Sequence, residues 1–250
     1  MKPEEKNREG CAVPLAVSLQ ASITGIYTGR PRALTADGTL SSIFKAPADG
    51  PARIGPDGIL GDQQADRTVH GGPEKAVHQF AASNYAALVL AFPQIAAALV
   101  PGSIGENLSS ADINQDSVCI GDIFTLGSST LQVCQPRSPC WKIDARFGVS
   151  GMSRFVSENC LAGWYYRVLQ GGEASKGDVL TLVGRNADAV TLREFWSTWL
   201  LRSPAPSELE RLRNIQGLAS GWVTYLDARL DNLRAGTAPT VSAWHTRKDV

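Results

Sequence analysis

Cys140 is the residue on which the chemistry of this sequence turns. It closes the run Leu131-Gln132-Val133-Cys134-Gln135-Pro136-Arg137-Ser138-Pro139-Cys140. Leu131 and Val133 alternate with polar neighbours, as in a half-buried strand. Pro136 ends that strand, having no N–H for a ladder. Ser138 and Pro139 then read as the N-cap and first position of a helix. That spacing predicts Cys140 in the first helical turn, where free backbone N–H groups favour a thiolate and Arg137 adds positive charge. A thiolate so placed is a nucleophile or a ligand for a soft metal. The competing reading is an inert packed thiol, since free cysteine is among the most buried residue types.

A second group lies upstream. After Gly61-Asp62-Gln63-Gln64-Ala65-Asp66 comes His70-Gly71-Gly72-Pro73-Glu74-Lys75-Ala76-Val77-His78. Adjacent glycines beside a histidine let backbone approach a ligand closely, and Lys75 and His78 follow in the same loop. Anion binding suits this set. Zinc suits it less, because no cysteine or third histidine stands at customary ligand spacing from His70 and His78. A plain turn with a surface lysine and a core histidine is the bland alternative. In Gly102-Ser103-Ile104-Gly105-Glu106-Asn107-Leu108, Glu106 reads as a solvated turn carboxylate rather than an acid catalyst.

These residues need a scaffold, and the text around them is β-rich. Strands are expected at Val17–Tyr27, Ser42–Lys45, Ser117–Ile120, Asp122–Leu126, Ser129–Cys134, Gly163–Leu169 and Val179–Val183, with frequent Gly and Pro between them. Short strands punctuated this way suit an antiparallel barrel or sandwich. Helices are expected at Ser83–Phe92, stopped by Pro93, then at Ile95–Val100, Trp141–Phe147 and Ser150–Glu158. After Gly184 the texture changes. Leu192, Phe195, Trp196, Trp199 and Leu200 form one apolar stripe, Leu209, Leu212 and Ile215 a second, and Val223, Leu226, Leu230 and Leu233 a third, which predicts three amphipathic helices. The organisation expected is a flexible arm at 1–16, a β-rich domain at 17–185, a three-helix domain at 186–236 and a tail at 237–250.

Composition narrows the function. The 250 residues carry 24 Lys+Arg against 24 Asp+Glu, which gives no basic footprint for nucleic acid. The five cysteines, Cys11, Cys119, Cys134, Cys140 and Cys160, are odd in number and include no C-x-x-C pair. Neither a zinc ribbon nor a disulfide framework is indicated, and reduced thiols point to the cytoplasm. No apolar run reaches the roughly 20 residues that span a bilayer, and the charged start lacks a secretory pattern.

Taken in order, Leu60-Gly61-Asp62, His70-Gly71-Gly72-Pro73 with Lys75 and His78, Gly105-Glu106-Asn107-Leu108, Gly121-Asp122 and Gln135-Pro136-Arg137-Ser138-Pro139-Cys140 resemble the MOSC domain family, and within it the stand-alone YiiM-like proteins. The likeness spans about residues 20–235. It implies a mixed α+β fold, a β-barrel-like MOSC domain with a small C-terminal three-helix bundle. It implies the molybdenum cofactor (molybdopterin), with Cys140 as catalytic residue and metal ligand, a soft sulfur suited to molybdenum. His70, Gly71, Gly72, Lys75, His78 and Arg137 are then the candidates to hold the phosphate-bearing pterin, with Asn107 donating to its edge. Cys134 replaces the small polar residue expected before Gln135, and alternation assigns it to sheet packing. The implied reaction is reduction of N-hydroxylated bases and related small molecules to amines, a detoxification fed by an external flavin-type electron donor. No Gly-x-Gly-x-x-Gly fingerprint suggests that this chain holds a nucleotide itself. A persulfide carrier and a non-catalytic cofactor carrier are the alternatives. Oligomeric state stays open, a homodimer included.

Overall fold

The computed structural model describes residues 18–237. The expected arm at 1–16, Cys11 and the tail beyond Thr237 lie outside the described residues. Seven strands close a barrel: β1 Gln20–Gly29, β2 Val77–Ala81, β3 Leu108–Ser110, β4 Ile123–Leu126, β5 Ser129–Pro136, β6 Trp164–Gln170 and β7 Val179–Gly184. Around the ring the order is β7-β4-β5-β6-β2-β3-β1, and β1 closes it on β7 with Gln20 opposite Thr181. All these pairs are antiparallel except β2 with β3, where Gln79 faces Leu108 in parallel. A short strand, Lys45–Pro47, extends the ring from the end of β1.

Alternation fills the barrel. Ile23, Leu108, Phe124, Leu131, Val133, Trp164 and Tyr166 all point inward and are fully buried. Toward its end β5 is covered on both faces. The register slips between Val133 and Gln135, and the Ala219 N–H donates to the Cys134 carbonyl at 2.8 Å. Cys134 therefore packs, as its place in the alternation implied. The expected strand at Ser117–Ile120 is a turn with a lone bridge from Cys119 to Thr191. Ser42–Lys45 is likewise not one strand; Leu40–Ser41 and Lys45–Pro47 flank a loop.

Helices α1 Asn84–Ala91, α2 Lys142–Phe147 and α3 Met152–Glu158 bury Tyr85, Leu88, Ile143, Met152 and Val156 in one cluster beside the barrel. The segment expected to be helical near Ile95 is a 3₁₀ stretch, Pro93–Ala98. The last three helices are α4 Leu192–Leu200, α5 Pro206–Arg213 and α6 Ser220–Arg234. Their stripes share one continuous apolar core with the barrel. At its centre Trp222 meets Phe195, Trp196, Trp199 and Tyr225 edge-on, with ring centroids 5.0 to 5.9 Å apart. Edge-on packing sets each ring's positive rim against a neighbour's negative face.

Candidate functional site

Strand ends position the site. Where β1, β2, β3, β5 and β6 converge, a cavity opens, lined among others by Cys140, Arg137, Lys75, His70 and Tyr165. Its floor is a polar network that begins at Asn107. The Asn107 side chain accepts the His78 N–H at 3.0 Å and donates to the Tyr27 carbonyl at 3.1 Å and to Asp62 at 2.9 Å. Asp62 also accepts the Gly29 N–H at 2.7 Å and holds Lys45 Nζ at 2.6 Å from each carboxylate oxygen. Lys45 and Asp62 are nearly sealed from water, with side-chain exposures of 6% and 2%. Burial pulls the Lys45 ammonium below the ordinary lysine range, and Asp62 opposes that pull.

The beginning of β6 fixes the next two groups. Gly163 has φ +77, and a Cβ there would meet the Gln79 carbonyl at 2.3 Å and His78 Nε2 at 3.1 Å. Only glycine lets the chain pass so close to its neighbour strand. The Gly163 carbonyl accepts the Arg137 N–H at 3.0 Å, so the ladder to β6 runs on through Arg137. That extension corrects the expected helix start. No helical turn forms until Lys142, with Trp141 as N-cap, and Ser138 and Pro139 lie in the connection. Cys140 sits just ahead of the helix rather than in its first turn, half-buried in the cavity wall.

The predicted residues fall into two groups. His70, Lys75, His78, Asn107, Arg137 and Cys140 come together around the cavity. Gly71 and Gly72 face a separate groove behind the loop, so the close backbone approach expected of them falls on that side. Asn107 offers no spare donor, because both N–H bonds of its amide already have acceptors. His78 is buried and packs against Tyr165, the ring centroids 5.0 Å apart and the planes tilted by 37°, with its ring nitrogens 3.4 and 3.5 Å from the Gly105 and Ala162 carbonyls. Burial first, then Arg137, pushes its pKa well below the usual histidine value. His78 is therefore a neutral wall. His70 is neutral as well: burial, Lys142, Lys75 and Arg137 lower its pKa to about 4.

Glu106 overturns its expected reading. It is fully buried and accepts from Tyr85 Oη at 2.6 Å, the Gly102 N–H at 2.6 Å and the Ile104 N–H at 3.2 Å. It knits the turn that forms one cavity wall, and burial raises its pKa. Ser42, Lys45, Asp62, Lys142 and Tyr165 complete the site and carried no functional assignment in the sequence. Asp62 at least stands in a recognisable block with Leu60 and Gly61.

The lining defines its occupant's chemistry. Lys45, Lys75, Arg137 and Lys142 face the space against a single carboxylate, Asp62. Arg137 is 8% exposed, and its Nη1 and the Ser42 Oγ are buried without hydrogen-bond partners. Leaving such atoms unpaired costs of the order of 1–3 kcal/mol each. A phosphate would offer acceptors to both. Among the described residues no group of three or more His, Cys, Asp or Glu could hold a metal ion. Cys140 would be the single thiolate ligand, so a metal must arrive with most of its ligands already attached. These features fit a phosphate-bearing metal chelate such as the molybdenum cofactor.

Barrel and site together define a MOSC-type protein, and the sequence model of the MOSC domain matches residues 66–181. The chain belongs to the MOSC domain family. It is similar to protein YiiM of Escherichia coli strain K12, with 32% identity over 204 residues, 82% of this chain and 90% of that protein. The crystal structure of Escherichia coli YiiM has a TM-score of 0.73 at 27% sequence identity, covering 90% of this chain and 97% of that one. A Gibberella moniliformis protein named as a reductase is 38% identical over 146 residues, 58% of this chain but 26% of the fungal protein. Among the described residues no helix is long and apolar enough to cross a membrane.

Proposed function

We propose that this chain binds the molybdenum cofactor in the cavity and reduces N-hydroxylated bases and related compounds to amines. The observation that carries the reading is the half-buried Cys140 beside the unpartnered Arg137 Nη1 and Ser42 Oγ, in a cavity richer in cations than in carboxylates. Similarity to a fungal protein named as a reductase supports the oxidoreductase part.

When bound, the cofactor supplies two-electron chemistry at molybdenum: R–NHOH + 2 e⁻ + 2 H⁺ gives R–NH₂ + H₂O. The chain's own residues do the rest. Cys140 would give the metal a thiolate ligand. Arg137, Ser42 and Lys75 would hold the phosphate, exchanging a buried unpaired or desolvated state for charge-assisted hydrogen bonds. Neutral His70 contributes a hydrogen bond without adding positive charge. Lys45 lines the same space, and its ammonium, held by Asp62, would be the nearest protein proton source for a substrate bound there. Electrons come from a separate flavin-type donor protein, and the site is cytoplasmic in this reading.

Metal and pterin analysis after expression in molybdate-replete cells tests the reading. Expected are near one molybdenum per chain and reduction of N-hydroxylaminopurine, with both lost in Cys140→Ala. A labile sulfane sulfur on Cys140 without metal would replace the proposal with a persulfide carrier. Bound cofactor without turnover of any N-hydroxylated compound would leave a carrier.

A further inference from the structure

Glu74 lies between Pro73 and the cavity residue Lys75, yet its bonds run away from the cavity. Its carboxylate accepts the Ser220 N–H at 3.0 and 3.1 Å, Ser220 Oγ at 2.9 Å and Arg167 Nη2 at 2.8 Å. Its carbonyl accepts Gln135 Nε2 at 2.6 Å and Cys134 Sγ at 3.0 Å. One residue therefore joins the His70–Lys75 loop to β5, β6 and the start of α6. The 15-residue α6 begins at Ser220, whose N–H has no acceptor within the helix, and there a carboxylate also meets the positive end of the helix dipole.

The loop has room to leave. Behind it an open groove runs between Gly72 to Lys75 and Ser220, Trp222 and Tyr225. Gly72, at φ +92, gives the backbone a pivot that other residues rarely provide. On the cavity side Lys75 Nζ bonds only within its own loop, to the Val69 carbonyl. That bond moves with the loop and does not anchor it.

We propose that Glu74 is a positioning residue that clamps the loop carrying His70 and Lys75 to the C-terminal helices. Those helices thereby become part of the machinery that holds an anion in the cavity. The retention of cofactor in the second measurement below rests on the proposed function; the clamp itself does not.

Hydrogen–deuterium exchange on the full chain tests the clamp in wild type, Glu74→Ala, Glu74→Gln and Ser220→Ala. In Glu74→Ala, amides at 67–76 are expected to exchange about tenfold faster or more, the scale of one lost charge-assisted hydrogen bond. Amides of β4 and β5 keep their protection. Glu74→Gln, retaining one acceptor oxygen, restores part of the effect, and Ser220→Ala produces a smaller rise in the same segment. In parallel, molybdenum retained through long dialysis falls several-fold in Glu74→Ala and partly recovers in Glu74→Gln. Unchanged exchange at 67–76 in Glu74→Ala overturns the clamp, and so does a uniform loss of protection across all strands in both Glu74→Ala and Ser220→Ala. If wild-type protein holds no molybdenum, the cofactor reading falls while the exchange data still decide on Glu74.

Discussion

Replacing Asp62 by Asn should unmask what the Lys45–Asp62 pair does for the fold. Both side chains are almost sealed, with contacts of 2.6 Å to each carboxylate oxygen. Removing one member of a buried pair strands the other charge and costs about 3–5 kcal/mol. The bonds from Gly29 and Asn107 weaken with it, since an amide oxygen is a poorer acceptor than a carboxylate. The pH dependence then carries a sign. Burial already places the folded Lys45 pKa below its unfolded value of 10.5, and Asp62 is the largest influence raising it. Asp62→Asn lowers the folded value further. Between the mutant and wild-type folded values, only the mutant gains stability as pH rises, because its unfolded state binds the extra proton. The gap between the two proteins should narrow there by about 1.4 kcal/mol per pH unit. Urea unfolding between pH 7 and 10 reads both effects, and Lys45→Met with Asp62→Leu should recover the stranded-charge part of the loss but not the acceptor that Gly29 and Asn107 lose. A single-mutant penalty under about 1 kcal/mol, the range of an exposed pair, would refute the reasoning.

Other expectations follow from the same contacts. Gly163→Ala forces a Cβ to 2.3 Å from the Gln79 carbonyl at positive φ, and should cost about 2 kcal/mol or more in urea unfolding. Trp222→Ala removes the ring that four aromatic neighbours contact, and should cost about 3–5 kcal/mol with a lower thermal midpoint. His70 is neutral in the fold with a pKa of about 4 against 6.5 unfolded, so the unfolded state binds the extra proton between those values. Stability should therefore fall as pH drops through that window, and His70→Gln should flatten the fall by about 2 kcal/mol after screening, read as denaturant midpoints from pH 7 to pH 4.

Patterns set by neighbours along the chain were legible in the sequence. The stripes of Leu192, Phe195, Trp196 and Trp199 and of Leu226 and Leu230 became α4 and α6, because an apolar face needs only its own periodicity. The alternation of Leu131 and Val133 became β5 for the same reason. Contacts made between distant segments were not legible. The chain stays out of the helix through Cys140, and Arg137 bonds Gly163, a partner no local pattern names. Glu106 sits in a glycine-rich turn like any solvated carboxylate, yet that turn aims its N–H groups inward and Tyr85 waits beneath. Lys45 stands in Gly- and Pro-broken text, and its burial follows from Asp62 and Gly29 being drawn together by β1. The Gly71–Gly72 pair suggested close approach to a ligand, but the side on which it lies depends on where α6 docks.

Closure of the ring has a consequence for biosynthesis. The first strand is sealed by the last, Gln20 by Thr181, and the parallel pairing of Val77–Ala81 with Leu108–Ser110 spans a further loop. During translation the opening strand must wait, one edge unsatisfied, until the segment around Thr181 has left the ribosome. Pairings of such long sequence separation form slowly, and an unmatched edge invites other chains. Output of folded protein should therefore respond to chaperone supply and to elongation speed more than the stability of the finished barrel would suggest.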